Sequence, residues 1–170
     1  MTRSPRKNPG KKSAENVTFD KVDRHILDIL QGDSDRPINS IAEEVGLSPT
    51  PCWRRVKRLE DAGVIQRRVA IVDQRRANVP MTIFVGITAP RHAKGWLTDF
   101  HALIERIPEV VEAYRLTGDT DYILKIVVPD IDHYDLVYKT MIDQLDFSQV
   151  SASISMEELK FTTAIPTKYL

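Results

Sequence analysis

Four consecutive residues, Gly46-Leu47-Ser48-Pro49, constrain this chain more than any other stretch. The apolar positions before them, Ile38, Ile41, Ala42 and Val45, repeat at helical spacing and stop at Gly46, the residue type that closes helices in a left-handed turn. Ser48 followed by Pro49 is the opposite signal, an N-cap with proline at the first helical position. One helix must therefore end and another begin within three or four residues, which is a helix-turn-helix corner. The second of these helices is expected to run from Pro49 to about Ala62 and to stop at Gly63. Upstream, Asp20 reads as an N-cap with Asp23 at the third helical position, and Val22, Ile26, Ile29 and Leu30 form an apolar stripe that ends at Gly32. After Gly63, residues 64–73 (VIQRRVAIVD) are rich in β-branched types and alternate enough to predict a strand or small wing.

The helix that starts at Pro49 tests this reading. At about 100° per residue, Cys52, Val56 and Leu59 share a narrow arc that must face the other helices. Thr50, Arg54 and Lys57 lie opposite, with Pro51 and Arg58 beside them and Trp53 on the flank. An exposed arc near a helix N-terminus is where a recognition helix meets base edges, arginine suiting guanine and threonine a thymine methyl. The candidate DNA-contacting set is thus Ser48, Thr50, Pro51, Trp53, Arg54, Arg55, Lys57 and Arg58, with Arg55, Arg67 and Arg68 placed to hold phosphates. The bland alternative is a solvated basic helix, which the agreement of cap, turn, stripe and charge disfavours. Cys52 falls on the buried arc and is expected to be a small core hydrophobe rather than a redox sensor.

Net charge is zero, with 24 basic and 24 acidic residues, but the distribution is uneven. Residues 49–76 carry eight bases against three acids, whereas residues 77–170 carry eight bases against thirteen acids. A basic segment joined to an acidic one points to a polyanion partner for the first and a different task for the second. Residues 1–18 are Lys, Arg, Ser, Pro and Asn with little to bury, and are expected to form a disordered basic tail. The domain reading is therefore a tail at 1–18, a winged helix-turn-helix at 19–76 and a second domain at 77–170.

Beyond Asn78 the pattern becomes mixed. MTIFVGIT (81–88) is β-rich; Trp96, Phe100, Leu103, Ile104 and Ile107 repeat at helical spacing; residues 111–117 and 121–128 are strands around a Gly118-Asp119-Thr120 turn. A second helix carries Tyr134, Val137, Tyr138, Met141 and Leu145, and residues 150–156 alternate as a last strand. The order βαββαβ predicts a ferredoxin-like α+β arrangement with both helices on one face of an antiparallel sheet. Tyr122, Leu124, Ile126 and Val128 are expected to meet the helices. Asp121, Ile123, Lys125 and Val127 make a mixed face of the kind that pairs with a second copy.

The chemistry is that of binding. The single cysteine and the spacing of the four histidines exclude a conventional metal site, and neither a Walker loop nor a dinucleotide loop is present, so no cofactor is expected. Glu112, Asp119 and Asp121, with Ser151, Ser153 and Ser155, form the best polar cluster, but no nucleophile and base pair stands out, so the chain does not read as an enzyme. Carboxylates for an ammonium, with backbone amides near Gly118 and serine hydroxyls for a carboxylate, describe a small amino-acid site. No apolar run approaches the roughly 18 to 20 residues of a membrane span, and no secretory signal is evident, so the reading is cytoplasmic.

Three stretches, LSPTPCWRRVKRLEDAGVI (47–65), TGDTDYILKIVVPD (117–130) and MEELKFTTAIP (156–166), together resemble the leucine-responsive/asparagine-regulator (Lrp/AsnC) family of transcription factors. The resemblance covers everything from about Asp20 onward. It implies a winged helix-turn-helix joined to a ferredoxin-like effector domain, homodimers that assemble into tetramers or octamers, a nucleoid-associated protein, and double-stranded DNA as partner. It also implies an amino-acid effector bound between dimers at the turn matched by Gly118, Asp119, Thr120, Asp121 and Tyr122, along with Ser153 and Ser155 of the last strand. The family often has an aromatic residue where Thr120 stands here. The segment 108–139 is most similar to cysteine-responsive members, and other amino acids remain open. The rival readings are a ligand-independent architectural DNA-binding protein and an enzyme of ferredoxin-like fold with a DNA-binding head.

Overall fold

The computed structural model describes residues 17–90 and 95–170; the basic tail expected at 1–18 falls almost wholly outside the described residues. Internal contacts divide the chain into two units. One spans Val72–Leu159; the other comprises the described residues up to Ile71 together with Lys160–Leu170.

The first unit in chain order is built on three helices, α1 (Lys21–Gly32), α2 (Ile38–Glu44) and α3 (Pro49–Asp61). The Asp20 side chain accepts from the Asp23 N–H at 2.8 Å while Asp23 accepts from the Asp20 N–H at 3.1 Å, a reciprocal capping box. Gly46 and Gly63 end α2 and α3 at φ +69° and +72°. In each case the next residue returns to the helix: Leu47 N–H donates to the Ala42 carbonyl at 2.8 Å, and Val64 N–H to the Leu59 carbonyl at 2.9 Å. These are Schellman closures, and Leu47 and Val64 then pack on the core they enclose. That core holds Ile26, Ile41, Cys52 and Leu59 at or below 1% exposure. Ser48 occupies the α3 N-cap without a side-chain bond. The reason is local: Pro51 at the third helical position has no N–H for the serine hydroxyl to meet.

One expectation is corrected here. Residues 64–73 form no strand among the described residues. The alternation is real, since Val69 and Ile71 are apolar, but both are exposed and the segment has no neighbouring strand to complete a ladder. By their contacts the last eleven residues group with the helices. Gln31 bonds Ile165, Thr167 bonds Asp28, and Leu170 packs against the helical core.

The other unit is a four-stranded antiparallel sheet covered on one face by two helices. Its strands are β1 (Met81–Thr88), β2 (Val110–Arg115), β3 (Tyr122–Val128) and β4 (Gln149–Ile154), in the order β2-β3-β1-β4. Helices α4 (Trp96–Arg106) and α5 (Ile131–Gln144) fill the connections, which gives the ferredoxin-like βαββαβ fold. The alternation of β3 sorts as its sequence requires. Tyr122, Leu124, Ile126 and Val128 join Ile83, Val85 and Ile87 against Phe100, Leu103 and Met141. Trp96 stacks on Phe100 at 4.8 Å, and its Nε1–H donates to the Asp146 carbonyl at 2.7 Å, so the indole is buried with its donor satisfied. The opposite face carries Phe84, Gly86, Ile123, Lys125, Ser151 and Ser153, with Phe84 39% exposed.

Because each unit has its own core, damage to one should leave the other standing. Leu59→Ala is expected to destabilise the helical unit by roughly 2 to 5 kcal/mol, the cost of a cavity at a fully buried leucine. The near-ultraviolet circular dichroism of the Trp96, Phe100 and Tyr122 cluster should persist through the urea range in which the helices melt.

Candidate DNA interface and effector site

The outer face of α3 is composed as the helical arc predicts. Thr50, Pro51, Trp53, Arg54, Lys57 and Arg58 are exposed, while Cys52, Val56 and Leu59 are buried. Burial pushes the Cys52 thiol up, away from thiolate chemistry. Arg54 makes no ion pair or hydrogen bond among the described residues, and Lys57 makes only an exposed pair with Asp61, one helical turn on, at 2.8 Å. Such a pair is weak and is readily exchanged for a phosphate or base.

Arg55 and Arg58 are placed differently. Asp23 of α1 is buried, with 1% exposure, and both arginines converge on it: Arg58 Nη2 donates to its Oδ2 at 2.6 Å and Arg55 Nη1 to its Oδ1 at 2.9 Å. Arg55 also donates to Asp20 at 2.7 Å. Read from sequence as a phosphate contact, Arg55 has its Nη1 engaged by these two carboxylates inside the unit. Arg68 likewise donates to the Ser34 carbonyl at 3.1 Å and pairs with Glu60.

Burial alone would raise the Asp23 pKa. Hydrogen bonds from Arg58, from the Asp20 N–H and from Arg55 outweigh it and hold the carboxyl below its ordinary value. Asp20 is also held low, first by the Asp23 N–H and then by Arg55. A carboxylate depressed in the folded state contributes stability that is complete above its unfolded pKa of about 3.9 and is lost as pH falls through its folded value.

The second site lies at the β2–β3 turn, residues 116–121. Gly118 adopts φ +109°, which favours glycine. The turn is tied at both sides: Leu116 N–H donates to the Asp121 carbonyl at 2.8 Å and Asp121 N–H to the Ile87 carbonyl at 3.0 Å. Asp121 Oδ2 accepts from the Ala89 N–H at 2.8 Å, and Thr88 Oγ1 donates to the Asp119 carbonyl at 3.3 Å. Ser148, just before β4, donates its hydroxyl to the Ala89 carbonyl at 3.1 Å. Thr120 folds back over Gly86, where a Cβ would stand 3.3 Å from its methyl, and the Ser151 carbonyl lies on the same side. A side chain at position 86 would press on the Thr120 methyl, so the glycine lets the turn lie close to β1.

Several predicted residues meet here and others do not. Gly118, Asp119, Thr120 and Asp121 form one exposed or half-buried surface. The Tyr122 ring points into the core, 5.0 Å from Phe100. Ser153 pairs opposite Phe84, and Ser155 N–H bonds the Thr82 carbonyl. Both serines are thus further along the sheet, roughly 7 and 13 Å beyond Ser151 at strand spacing. Glu112 stands away from the turn with Tyr114, whose hydroxyl at 2.7 Å is the main reason its pKa is lowered, and with Lys125 at 3.4 Å. Gly86, Thr88 and Ser148 were not singled out by sequence, because only the register of β1 with its neighbours brings them to the turn. Among the described residues no group of three His, Cys, Asp or Glu side chains is arranged to hold a metal ion.

A helix-turn-helix with an exposed basic helix, on one chain with a ferredoxin-like unit bearing a polar turn, defines a DNA-binding transcriptional regulator with a ligand-binding domain. Family comparison agrees on both halves: residues 19–66 match a winged helix-turn-helix DNA-binding domain and residues 82–165 an Lrp/AsnC ligand binding domain. The chain belongs to the Lrp/AsnC family of transcriptional regulators. It is 44% identical over 152 residues to the HTH-type transcriptional regulator Zrp of Zymomonas mobilis, covering 89% of this chain and 99% of that protein. Among solved structures it is similar to an AsnC family transcriptional regulator from Agrobacterium tumefaciens, at 47% identity and TM-score 0.86, over 89% of this chain and 99% of that one. The transcriptional regulator NMB0573 from Neisseria meningitidis, solved as an L-Met complex, matches at 33% identity with the same TM-score of 0.86 and the same coverage.

Asp23→Asn should cost the helical unit about 2 kcal/mol near neutral pH, a moderate value for a buried charge pair because both guanidiniums keep contact with water. In the unaltered protein, protection of the α1 and α3 amides, referred to the intrinsic exchange rate at each pH, should fall as pH is lowered below about 3.9. The asparagine variant should show a flatter acid limb, since it lacks the main titrating group.

Proposed function

We propose that this protein is a sequence-specific regulator whose two recognition helices, one from each protomer of a homodimer, enter successive major grooves, and whose DNA affinity responds to an amino acid bound at the 118–121 turn. Thr50, Arg54 and Lys57 read bases, and Ser48, Pro51 and Trp53 flank them at the groove wall. The observation that carries this reading is the division of labour along α3. Arg55 and Arg58 face α1 and hold the helix, while Arg54 stands exposed without a partner among the described residues. Arg67, without an ion pair among the described residues, is the better placed phosphate contact.

The effector reading is supported by the polar turn and by the L-Met complex of the Neisseria relative. Asp119 and Asp121 supply carboxylates for an α-ammonium, and the amides around Gly118 supply donors for a carboxylate. Thr120 over Gly86 limits the room for the ligand side chain, in keeping with a small amino acid such as cysteine. The open sheet face with Phe84 and Ile123 is the dimer surface, and further association to tetramers or octamers brings effector sites between dimers. A DNA partner is in keeping with a working place at the nucleoid in the cytoplasm; no helix among the described residues is long and apolar enough to cross a membrane.

The test is fluorescence anisotropy on the duplex upstream of the protein's own gene against a scrambled duplex, at one fixed salt concentration, with each amino acid in turn. Arg54→Ala should lose roughly 1 to 3 kcal/mol on the specific duplex and relax preference at one base position. Equal weakening on both duplexes would make Arg54 a phosphate contact instead. Asp121→Ala should keep DNA binding and lose the response to the amino acid. Equal affinity for both duplexes, indifferent to every amino acid, would favour the architectural reading.

A further inference from the structure

The C-terminal segment makes contacts that no part of the DNA-binding or effector reading uses. Gln31, on the last turn of α1, presents its amide edge to one residue: its Nε2–H donates to the Ile165 carbonyl at 3.2 Å and its Oε1 accepts from the Ile165 N–H at 2.7 Å. Both backbone groups of Ile165 are thereby satisfied, as in a ladder pair, which fixes the segment's register on the helix. One turn earlier, Asp28 Oδ1 accepts from the Thr167 hydroxyl at 2.8 Å, and Thr167 is only 9% exposed. Leu170 then packs against the helical core.

These contacts fall on the helix that carries Asp23, the residue that holds Arg55 and Arg58 of α3. At its other end the same segment continues from β4, which borders the effector turn through Ser148 and Ser151. Ten residues, 155–164, separate the end of β4 from Ile165, and twelve, 69–80, separate Arg68, bonded to Ser34 and Glu60, from β1. The C-terminal route is the shorter covalent path between the sheet and the helices.

We propose that residues 155–170 are a signal strap: a rearrangement of β4 on ligand binding reaches α3 through the docked tail, α1 and Asp23. This rests on the effector reading given above. Docked and released tails supply the two states a ligand must distinguish. The tail is held by a few hydrogen bonds, two of them exposed, so the states lie close enough in free energy for a bound amino acid to bias them.

The experiment compares the full chain with a Gln31→Ala, Thr167→Val double variant, which removes the docking bonds and keeps the Leu170 contact. Calorimetry with the twenty amino acids individually measures ligand binding; anisotropy on the upstream duplex, with and without the amino acid that binds, measures coupling; amide exchange follows α1. The variant is expected to bind the amino acid as the unaltered protein does and to bind DNA alone within about twofold. The ligand-induced change in DNA affinity, of the order of 5- to 150-fold for coupled sites, should shrink toward onefold, and α1 exchange should cease to respond to ligand. A variant that retains the full ligand-induced change overturns the strap. If the unaltered protein binds none of the amino acids, calorimetry shows that the effector reading itself has failed, and the strap with it.

Discussion

A buried carboxylate is the constraint on which the DNA-binding unit depends. Asp23 lies in the first turn of α1 at 1% exposure, where an unpaired charge would be prohibitively costly. Two arginines of α3 and the backbone N–H of Asp20 supply three hydrogen bonds to its two oxygens. Because each guanidinium is a directional donor, the bonds set the rotation of α3 about its own axis as well as its distance from α1. Asp23 draws Arg55 and Arg58 from the flank of α3 toward α1, and Thr50 and Arg54 are left exposed. Apolar packing of Cys52, Val56 and Leu59 fixes the same rotation independently, and the agreement of the two is what makes the presented face well defined.

The effector turn is organised by a different economy, in which backbone groups do most of the fastening. Asp121 contacts β1 twice, through its own N–H to Ile87 and through its carboxylate to Ala89. Thr120 then lies across Gly86, and Ser148 closes the third side at Ala89. Three separate stretches of chain therefore meet within a few residues of the β1 terminus. A ligand arriving there meets polar groups whose positions are already set by strand pairing.

Local signals were legible in the sequence wherever a residue type has one strong conformational use. Gly46, Gly63 and Ser48-Pro49 marked helix ends that the structure reproduces within a residue or two, and the alternation of β3 named the buried face correctly. What the sequence withheld was pairing across distance. Asp23 read as a helix cap, and its arginines stand 32 and 35 positions away, so their convergence is a product of tertiary packing. The serines of β4 share one face by alternation, but only the register with β1 decides that Ser151, and not Ser153 or Ser155, borders the turn. Residues 64–73 carry a strand pattern without a partner strand, and residues 160–170 carry no periodicity at all, so neither their conformation nor their attachment was readable.

The attachment of Lys160–Leu170 to the helices has a topological consequence. The sheet unit, Val72–Leu159, is in effect an insertion within the DNA-binding unit, entered once and left once. During synthesis the three helices emerge first, yet their unit is finished only after the whole sheet unit has been made and the residues around Thr167 and Leu170 have followed it. A nascent or truncated chain would thus hold an incompletely closed head. The segment that completes the helical unit is translated only after the whole of the sheet unit.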